Sequence, residues 1–231
     1  MKLPLSSRLL ACADFVRQGD RVADVGCDHG YLSIHLLHNG IASSVIASDV
    51  AEGPLQSAMR NAIKYGVKNK INFYLSDGLR NIPRDFDCMV CAGMGADTMI
   101  SILEAAPWVK SQQYRLILQC QSKRPELRRY LYDQGFAITR ETLAKDGKFY
   151  YPIMEVVYRP GEQLSEAESY ITPALLQSGS PLLPAFFDRV LAGLQTARDG
   201  LARNGGERYE QLQKVLDQLQ LLRRQVEGDT V

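Results

Sequence analysis

Short apolar runs alternate with segments whose apolar positions recur every three or four residues along the first 135 positions of this chain. The runs lie near 21–26, 44–49, 71–76, 87–92 and 114–120 and have strand length. The helically periodic segments lie near 30–39, 52–65, 96–106 and 123–134. Strands that alternate with helices predict a parallel sheet with right-handed crossovers and helices on both faces. Ahead of them, Leu5, Leu9, Leu10, Phe15 and Val16 predict a short helix within residues 1–20, closed by Gly19.

The rhythm breaks after residue 135. Two strand-like runs, Phe136 to Leu143 and Tyr151 to Tyr158, flank Lys145-Asp146-Gly147-Lys148. Asp-Gly between strands signals a hairpin, so the sheet is expected to finish with antiparallel strands. Beyond Arg159-Pro160-Gly161 the pattern becomes helical again. Phe187, Val190, Leu194, Ala197 and Leu201 repeat at spacings of three and four, as do Leu212, Val215, Leu219, Leu222 and Val226, with Asn204-Gly205-Gly206 between them. This predicts two long helices folded into an antiparallel coiled-coil hairpin, a projecting arm. The expected division is residues 1–160 for the sheet domain and 161–231 for the arm.

Length and composition fit that division. The chain has 231 residues and 45% hydrophobic content, enough for one α/β domain and a smaller unit. The formal net charge of +1 means that a nucleic-acid partner must be held by a local patch. No apolar stretch reaches the roughly 18 residues of a membrane span, and the amino terminus lacks a signal-peptide core. The cytoplasm is the expected compartment, with no membrane association. Five scattered cysteines do not form a disulfide framework. Cys88 and Cys91 have the spacing of a metal or redox pair, but they fall in a strand, where residues three apart face opposite ways. No metal is expected.

The segment Asp24-Val25-Gly26-Cys27-Asp28-His29-Gly30-Tyr31 carries the chemistry. An apolar strand ends in a glycine-spaced turn that opens a helix, the place where open α/β sheets bind nucleotide-like ligands. A dinucleotide fingerprint requires glycine at 26, 28 and 31, whereas the chain has Gly26, Asp28 and Tyr31. A carboxylate at 28 repels phosphates and attracts an ammonium or sulfonium. The loop therefore suits a cationic, nucleoside-bearing cofactor. Asp49, followed by Val50, ends the second strand just over 20 residues past the glycine loop, where an acid accepts ribose hydroxyls. Asp77-Gly78 follows the third strand and suits an adenine amino group. The fourth strand ends in Ala92-Gly93-Met94-Gly95, whose glycines let backbone approach a ligand. The fifth ends in Gln119-Cys120-Gln121, two carboxamides able to bond a base edge. His29 is either a packing residue or part of the reacting centre.

These residues, with Leu5-Ser6-Ser7-Arg8-Leu9 and Gly147-Lys148-Phe149-Tyr150-Tyr151, resemble the bacterial tRNA adenine-N1 methyltransferases that act at position 22. They are class I enzymes dependent on S-adenosylmethionine, and the resemblance covers the whole chain. It implies a Rossmann-like methyltransferase sheet, with Asp24, Gly26, Cys27, Asp28 and Gly30 around the methionine moiety and Arg8 available to its carboxylate. It implies ribose contacts at Asp49 and Val50, and adenine contacts at Asp77 and Gly78. Ala92, Gly93, Met94 and Gly95 would bridge cofactor and target base, and Asp28, His29, Gly93, Met94, Gly95 and Gln119 are the candidates for the reacting centre. Two positions depart from the family pattern: Ala96 stands for a glycine, and Cys120-Gln121 for a Pro-Asn pair.

A tRNA substrate requires a basic surface and a place for the extruded base. Residues 110–150 hold nine Lys or Arg against four Asp or Glu, a local balance of +5. Lys123, Arg124, Arg128 and Arg129 open the helix after the fifth strand and suit phosphates. Arg203, Arg208, Lys214, Arg223 and Arg224 suggest a second patch on the arm. Gln121 is a candidate for the base edge, and Tyr31, Met94 and Phe149 for stacking on it. The residues alone leave open a methyltransferase acting on a small molecule or protein, and a non-catalytic module using its coiled coil. A monomer is expected, with a dimer through the arm as the alternative.

Overall fold

The five apolar runs form parallel strands in a computed structural model that describes residues 3–202 and 205–228. They are β1 (Arg21–Val25), β2 (Ser44–Asp49), β3 (Ile71–Leu75), β4 (Cys88–Met94) and β5 (Arg115–Cys120). The helices between and around them are α1 (Ser7–Ala13), α2 (Tyr31–His38), α3 (Glu52–Lys64), α4 (Ala96–Glu104) and α5 (Arg124–Asp133). The final strands, β6 (Phe136–Asp146) and β7 (Phe149–Tyr158), form an antiparallel hairpin, with β7 alongside β5. The two-residue turn places Gly147 at φ +55°, which a glycine adopts without strain. Sheet order is β3-β2-β1-β4-β5-β7-β6. The order reverses between β1 and β4, which opens a crevice at their carboxyl ends.

The apolar pattern explains the layers. Strands β1, β4 and β5 are covered on both sides and read as continuous apolar runs, as parallel strands do. One buried layer joins Cys12 and Phe15 to Leu32, Leu36, Ala58 and Ala62 over Val22, Val45, Cys88, Val90, Ile117 and Ile153. Helices α4 and α5 pack together on the other side. Cys88 belongs to the first layer and Cys91 does not, as their spacing in a strand requires. Burial pushes both thiols up to about 12, so neither is a thiolate at neutral pH.

Two ionic clusters fasten the sheet to its surroundings. At the amino-terminal edge, Arg115 pairs with Asp20 and with Glu155 (2.9 Å), and Arg17 also reaches Glu155. In the α5 layer, Arg128 is 1% exposed and pairs with the buried Glu141 of β6. This corrects the expectation for Arg128. Its position in a run of cations suggested a phosphate contact, but Leu127, Arg128 and Leu131 form the inward face of α5.

The chain divides into units Met1–Glu162 and Gln163–Val231. The second unit holds α6 (Glu166–Tyr170), α7 (Pro173–Leu176), α8 (Leu183–Leu201) and α9 (Glu207–Gly228). Helices α8 and α9 run antiparallel, with Asp188 bonded to Arg223 and Arg198 to Gln213. The seam differs from a simple hairpin. Phe187, Leu194, Val215 and Leu219 are buried as expected, but Ala197 is exposed, and Leu183, Phe186 and Leu216 are buried outside the anticipated stripe. The short helices account for this: they bring Ala167, Ile171 and Leu175, and α6 packs on α9. A Ser165–Glu168 capping box starts α6 and Thr172 caps α7, signals that the long heptad pattern overshadowed. Arg203 and Asn204 lie outside the described residues. No described helix is long and apolar enough to cross a membrane.

Replacing Arg128 with Met removes the guanidinium that pairs with the buried Glu141 carboxylate. The expected loss is about 3–5 kcal/mol in urea denaturation. The double variant Arg128→Met, Glu141→Leu should recover most of it, whereas equal losses in both would show that the ion pair is not the cause.

Candidate active site

The crevice at the carboxyl ends of β1 to β4 is a cavity of about 390 Å³, within the range of small-molecule sites. Its floor is the turn from β1 to α2. Gly26 (φ +74°) and Gly30 (φ +71°) take left-handed conformations that the turn demands. Contact adds a second restriction at Gly30, whereas the neighbour of Gly26 is the movable end of the Met94 side chain. A Cβ on Gly26 would collide with the Met94 methyl, and one on Gly30 would stand 2.9 Å from the Ala58 Cβ of α3. Asp28 is left-handed as well (φ +50°), a conformation that aspartate tolerates better than most residues.

The backbone bonds of this turn decide what it can hold. The Gly26 and Cys27 amides donate to the Ser48 carbonyl at 2.8 and 2.9 Å. The Asp28 amide donates to Asp49 Oδ2 at 3.0 Å. A phosphate-binding loop aims such amides at its ligand; here they are committed to the end of β2. What faces the cavity instead is acid. Asp24, Asp28, Asp49 and Asp77 all line it, against a single arginine, Arg8. The same hydrogen bonds orient Asp49, whose Oδ1 accepts from the Ala51 amide at 3.1 Å. Val50, Ser76, Gly78 and Ile102 complete the wall on this side. Gly78 is again a close approach, since its Cβ would lie 2.7 Å from Ile102 Cγ1.

Asp24 lies beneath the turn, buried, and accepts from Ser33 Oγ at 2.6 Å. Desolvation raises its carboxyl to about 6, opposed by the Ser33 bonds and reinforced by the charge of Asp49.

The opposite wall comes from β4 and α1. The β4–β5 register shifts between Ala92↔Gln119 and Met94↔Cys120, which leaves Gly93 (φ +89°) in a bulge at the cavity edge. A bulge removes Gly93 from regular pairing and turns its backbone toward the crevice. Ala92, Gly93 and Met94 all line the cavity, and Gly95 caps α4 just outside it. The Ser122 carbonyl accepts from Ala96 N and the Met94 carbonyl from Gln121 N, so the loops after β4 and β5 are joined. Arg8 reaches from α1 across Gly93 and donates to Gln119 Oε1 at 2.7 Å.

That bond corrects the expectation for Gln119. The side chain is 0% exposed, with Oε1 taken by Arg8 and Nε2 donating to the Cys120 carbonyl. It holds Arg8 and does not present its amide to a base. Gln121, two residues on, does line the cavity. His29 and Tyr31 also line it, with ring centroids 5.9 Å apart. Lys123 is exposed but bonds Asp97 at 2.7 Å, in a left-handed conformation (φ +52°). Arg124 bonds the Tyr150 carbonyl, and Arg129 reaches Glu126 at 4.0 Å. Phe149 lies outside the cavity wall, 49% exposed on the β6–β7 turn. Sequence reasoning missed Leu9, Val25, Leu32, Ser76 and Ile102 of the lining. Their apolar or small side chains carry no signal beyond membership in an element.

The sheet order, the glycine turn and the acids at the ends of the first three strands define a Rossmann-like nucleoside-cofactor protein. The family profile described as Methyltransferase domain matches residues 5–154, and the chain belongs to that family. Among curated relatives, the tRNA (adenine(22)-N(1))-methyltransferase of Bacillus subtilis is 36% identical over 151 residues. The match spans 64% of this chain and 63% of that protein's length. Among solved structures, the B. subtilis m1A22 tRNA methyltransferase TrmK is 27% identical, with TM-score 0.81 over 97% of this chain and 99% of that one. Sp1610 of Streptococcus pneumoniae, described as a candidate tRNA (m1A22) methyltransferase and solved with S-adenosyl-L-methionine, is 31% identical. Its TM-score is 0.82 over 94% of this chain and 99% of that one.

The raised Asp24 carboxyl makes stability depend on pH. The folded protein holds this proton more tightly than the unfolded chain, so the contribution is present below about pH 4 and is lost as pH rises through about 6. Asp24→Asn removes this loss. Between pH 4 and pH 7.5 the stability of the variant relative to wild type should rise by up to about 3 kcal/mol, read by urea denaturation at each pH. A difference independent of pH would refute the raised carboxyl.

Proposed function

We propose that this chain transfers a methyl group from S-adenosylmethionine to N1 of an adenine in tRNA, at position 22 as in the B. subtilis relative. The observation that carries the reading is the four-aspartate cavity whose loop amides are closed off by β2. It repels a pyrophosphate and accommodates a cationic nucleoside. The likeness to Sp1610, solved with S-adenosyl-L-methionine, supports the same choice. When bound, the cofactor supplies an electrophilic methyl group on a cationic sulfur.

The chain's residues then have distinct tasks. Gly26, Cys27, Asp28 and Gly30 shape the seat of the methionine moiety, Asp24 supports it from below, and the Arg8 guanidinium meets the carboxylate. Asp49, with both oxygens fixed by backbone amides, directs its remaining lone pairs to the ribose hydroxyls. Val50, Asp77 and Gly78 hold the adenine. On the acceptor side, Ala92, the Gly93 bulge and Met94 form a ledge for the target base, and Gly95 ends it. Gln121 meets the base edge, with Tyr31 and His29 at the rim.

Adenine N1 carries an in-plane lone pair and no proton, so the reaction needs no general base. The enzyme contributes alignment of N1 with the methyl carbon, and effective molarity supplies much of the barrier reduction. The product ring is cationic, and the Asp28 carboxylate and the Gly93 carbonyl, both at the cavity, are the groups we propose stabilise the developing charge. N1 lies on the pairing edge, so the base must leave its stack at a cost of a few kcal/mol. Lys123, Arg124 and Arg129 meet the phosphates around it. The site is proposed to act in the cytoplasm.

Three outcomes test this reading. The protein should methylate unmodified tRNA to give a primer-extension stop at adenine 22, and methylation of only a protein or small molecule would overturn the assignment. Asp28→Ala should weaken S-adenosylmethionine binding in calorimetry by tenfold or more; unchanged affinity would remove the charge argument for the loop. Lys123→Glu with Arg124→Glu should weaken tRNA binding by at least tenfold and leave cofactor affinity intact, and loss of both would indicate misfolding.

A further inference from the structure

The β6–β7 hairpin runs past the edge of the sheet on the acceptor side of the cavity. The last rung joining β7 to β5 is Leu118↔Met154, while Phe149 to Ile153 pair only with β6. Since β7 is antiparallel to β5, this overhang lies at the carboxyl edge, where the cavity opens. At about 3.4 Å per residue, five residues extend roughly 17 Å beyond the last shared rung. Two contacts tie the overhang to the cavity wall: Ser7 Oγ donates to the Lys145 carbonyl at 2.8 Å, and Arg8 Cζ lies 5.9 Å from the Tyr151 ring centre.

Each aromatic ring of the overhang has a cation over it. Lys148 stands 5.5 Å from the Phe149 ring, Lys145 is 5.4 Å from Tyr150, and Arg8 is beside Tyr151. Lys145 and Lys148 are exposed, as is Phe149, one of the few large apolar side chains left open to solvent. Arg124 joins the cluster through the Tyr150 carbonyl. Asp146 is the sole acid on the overhang. Packing accounts for Tyr151, which lies against the core beside the buried Ile153, but not for the tip: the turn is made by Gly147-Lys148 between Asp146 and Phe149, and an exposed phenylalanine adds nothing to the core.

We propose that this overhang is an RNA-binding finger that grips the single-stranded nucleotides flanking the extruded adenine. Phe149 stacks on a neighbouring base, and Lys145 and Lys148 meet the adjoining phosphates. The inference rests on the tRNA reading of the site. A ring that stacks on any base, set beside cations that take the phosphate, is the combination single-stranded nucleic acid requires. The attachment to α1 through Ser7 and Arg8 sets the distance between the gripped nucleotide and Gly93. The finger thus fills the gap left by extrusion while the target base occupies the ledge.

The test measures tRNA affinity by fluorescence anisotropy with S-adenosylhomocysteine present, cofactor affinity by calorimetry, and unfolding midpoints. Phe149→Ala should weaken tRNA binding about tenfold, and Phe149→Tyr should preserve it. Lys145→Glu with Lys148→Glu should weaken it tenfold or more and flatten its salt dependence. All three should keep wild-type cofactor affinity and unfolding midpoint. If wild type binds tRNA and these variants bind it equally well, the finger is refuted while the tRNA reading stands. If wild type binds no tRNA, both fall. A polyglutamate peptide that binds wild type and is lost in the variants, with tRNA affinity unchanged, would assign the surface to an acidic protein and overturn the proposal.

Discussion

The site depends on a small set of hydrogen bonds between the first turn and the second strand. The amides of Gly26, Cys27 and Asp28 all donate to the end of β2, through the Ser48 carbonyl and the Asp49 carboxylate. These bonds hold Asp28 in its left-handed conformation and fix Asp49. They also remove the N–H groups that an anion would need. A fold widely associated with phosphates is thereby given the opposite preference: its strongest field comes from carboxylates, and a cation is what lowers its energy.

The wall formed by β4 and α1 is governed by irregularity. The bulge at Gly93 interrupts the β4–β5 ladder where backbone must approach a ligand, and Arg8 lies across it, held by the fully buried Gln119. An amino-terminal helix, the fourth strand and the fifth strand thus meet at one guanidinium. One side of the cavity is built from regular strand ends and the other from a bulge and a side-chain bridge.

Much of the sheet domain was legible because its signals are local. Strand runs and helical periods place β1 to β5 and α2 to α5 within one or two residues, since buried parallel strands must be apolar throughout. Asp28, Asp49 and Asp77 were visible as acids at strand ends. Gln119 and Arg128 were misjudged for one reason: polarity in a sequence reads as exposure, yet both are buried beside a partner in another element, Arg8 of α1 and Glu141 of β6. In the second unit the heptad spacing was real, but α6 and α7 add a further layer that buries Leu216 and leaves Ala197 outside.

The sequence by itself determined the alternation of strands and helices, the glycines that the first turn requires, and the sign of charge around the cavity. These follow from periodicity, left-handed backbone and residue type, which act over a few positions. Only the tertiary structure decided that the turn's amides are closed off by β2, that Gly93 stands in a bulge, and that the hairpin reaches past the sheet beside Arg8. Each of those depends on which atoms meet across the sheet, and hydrogen-bond register between distant segments leaves no trace in the order of residues along the chain.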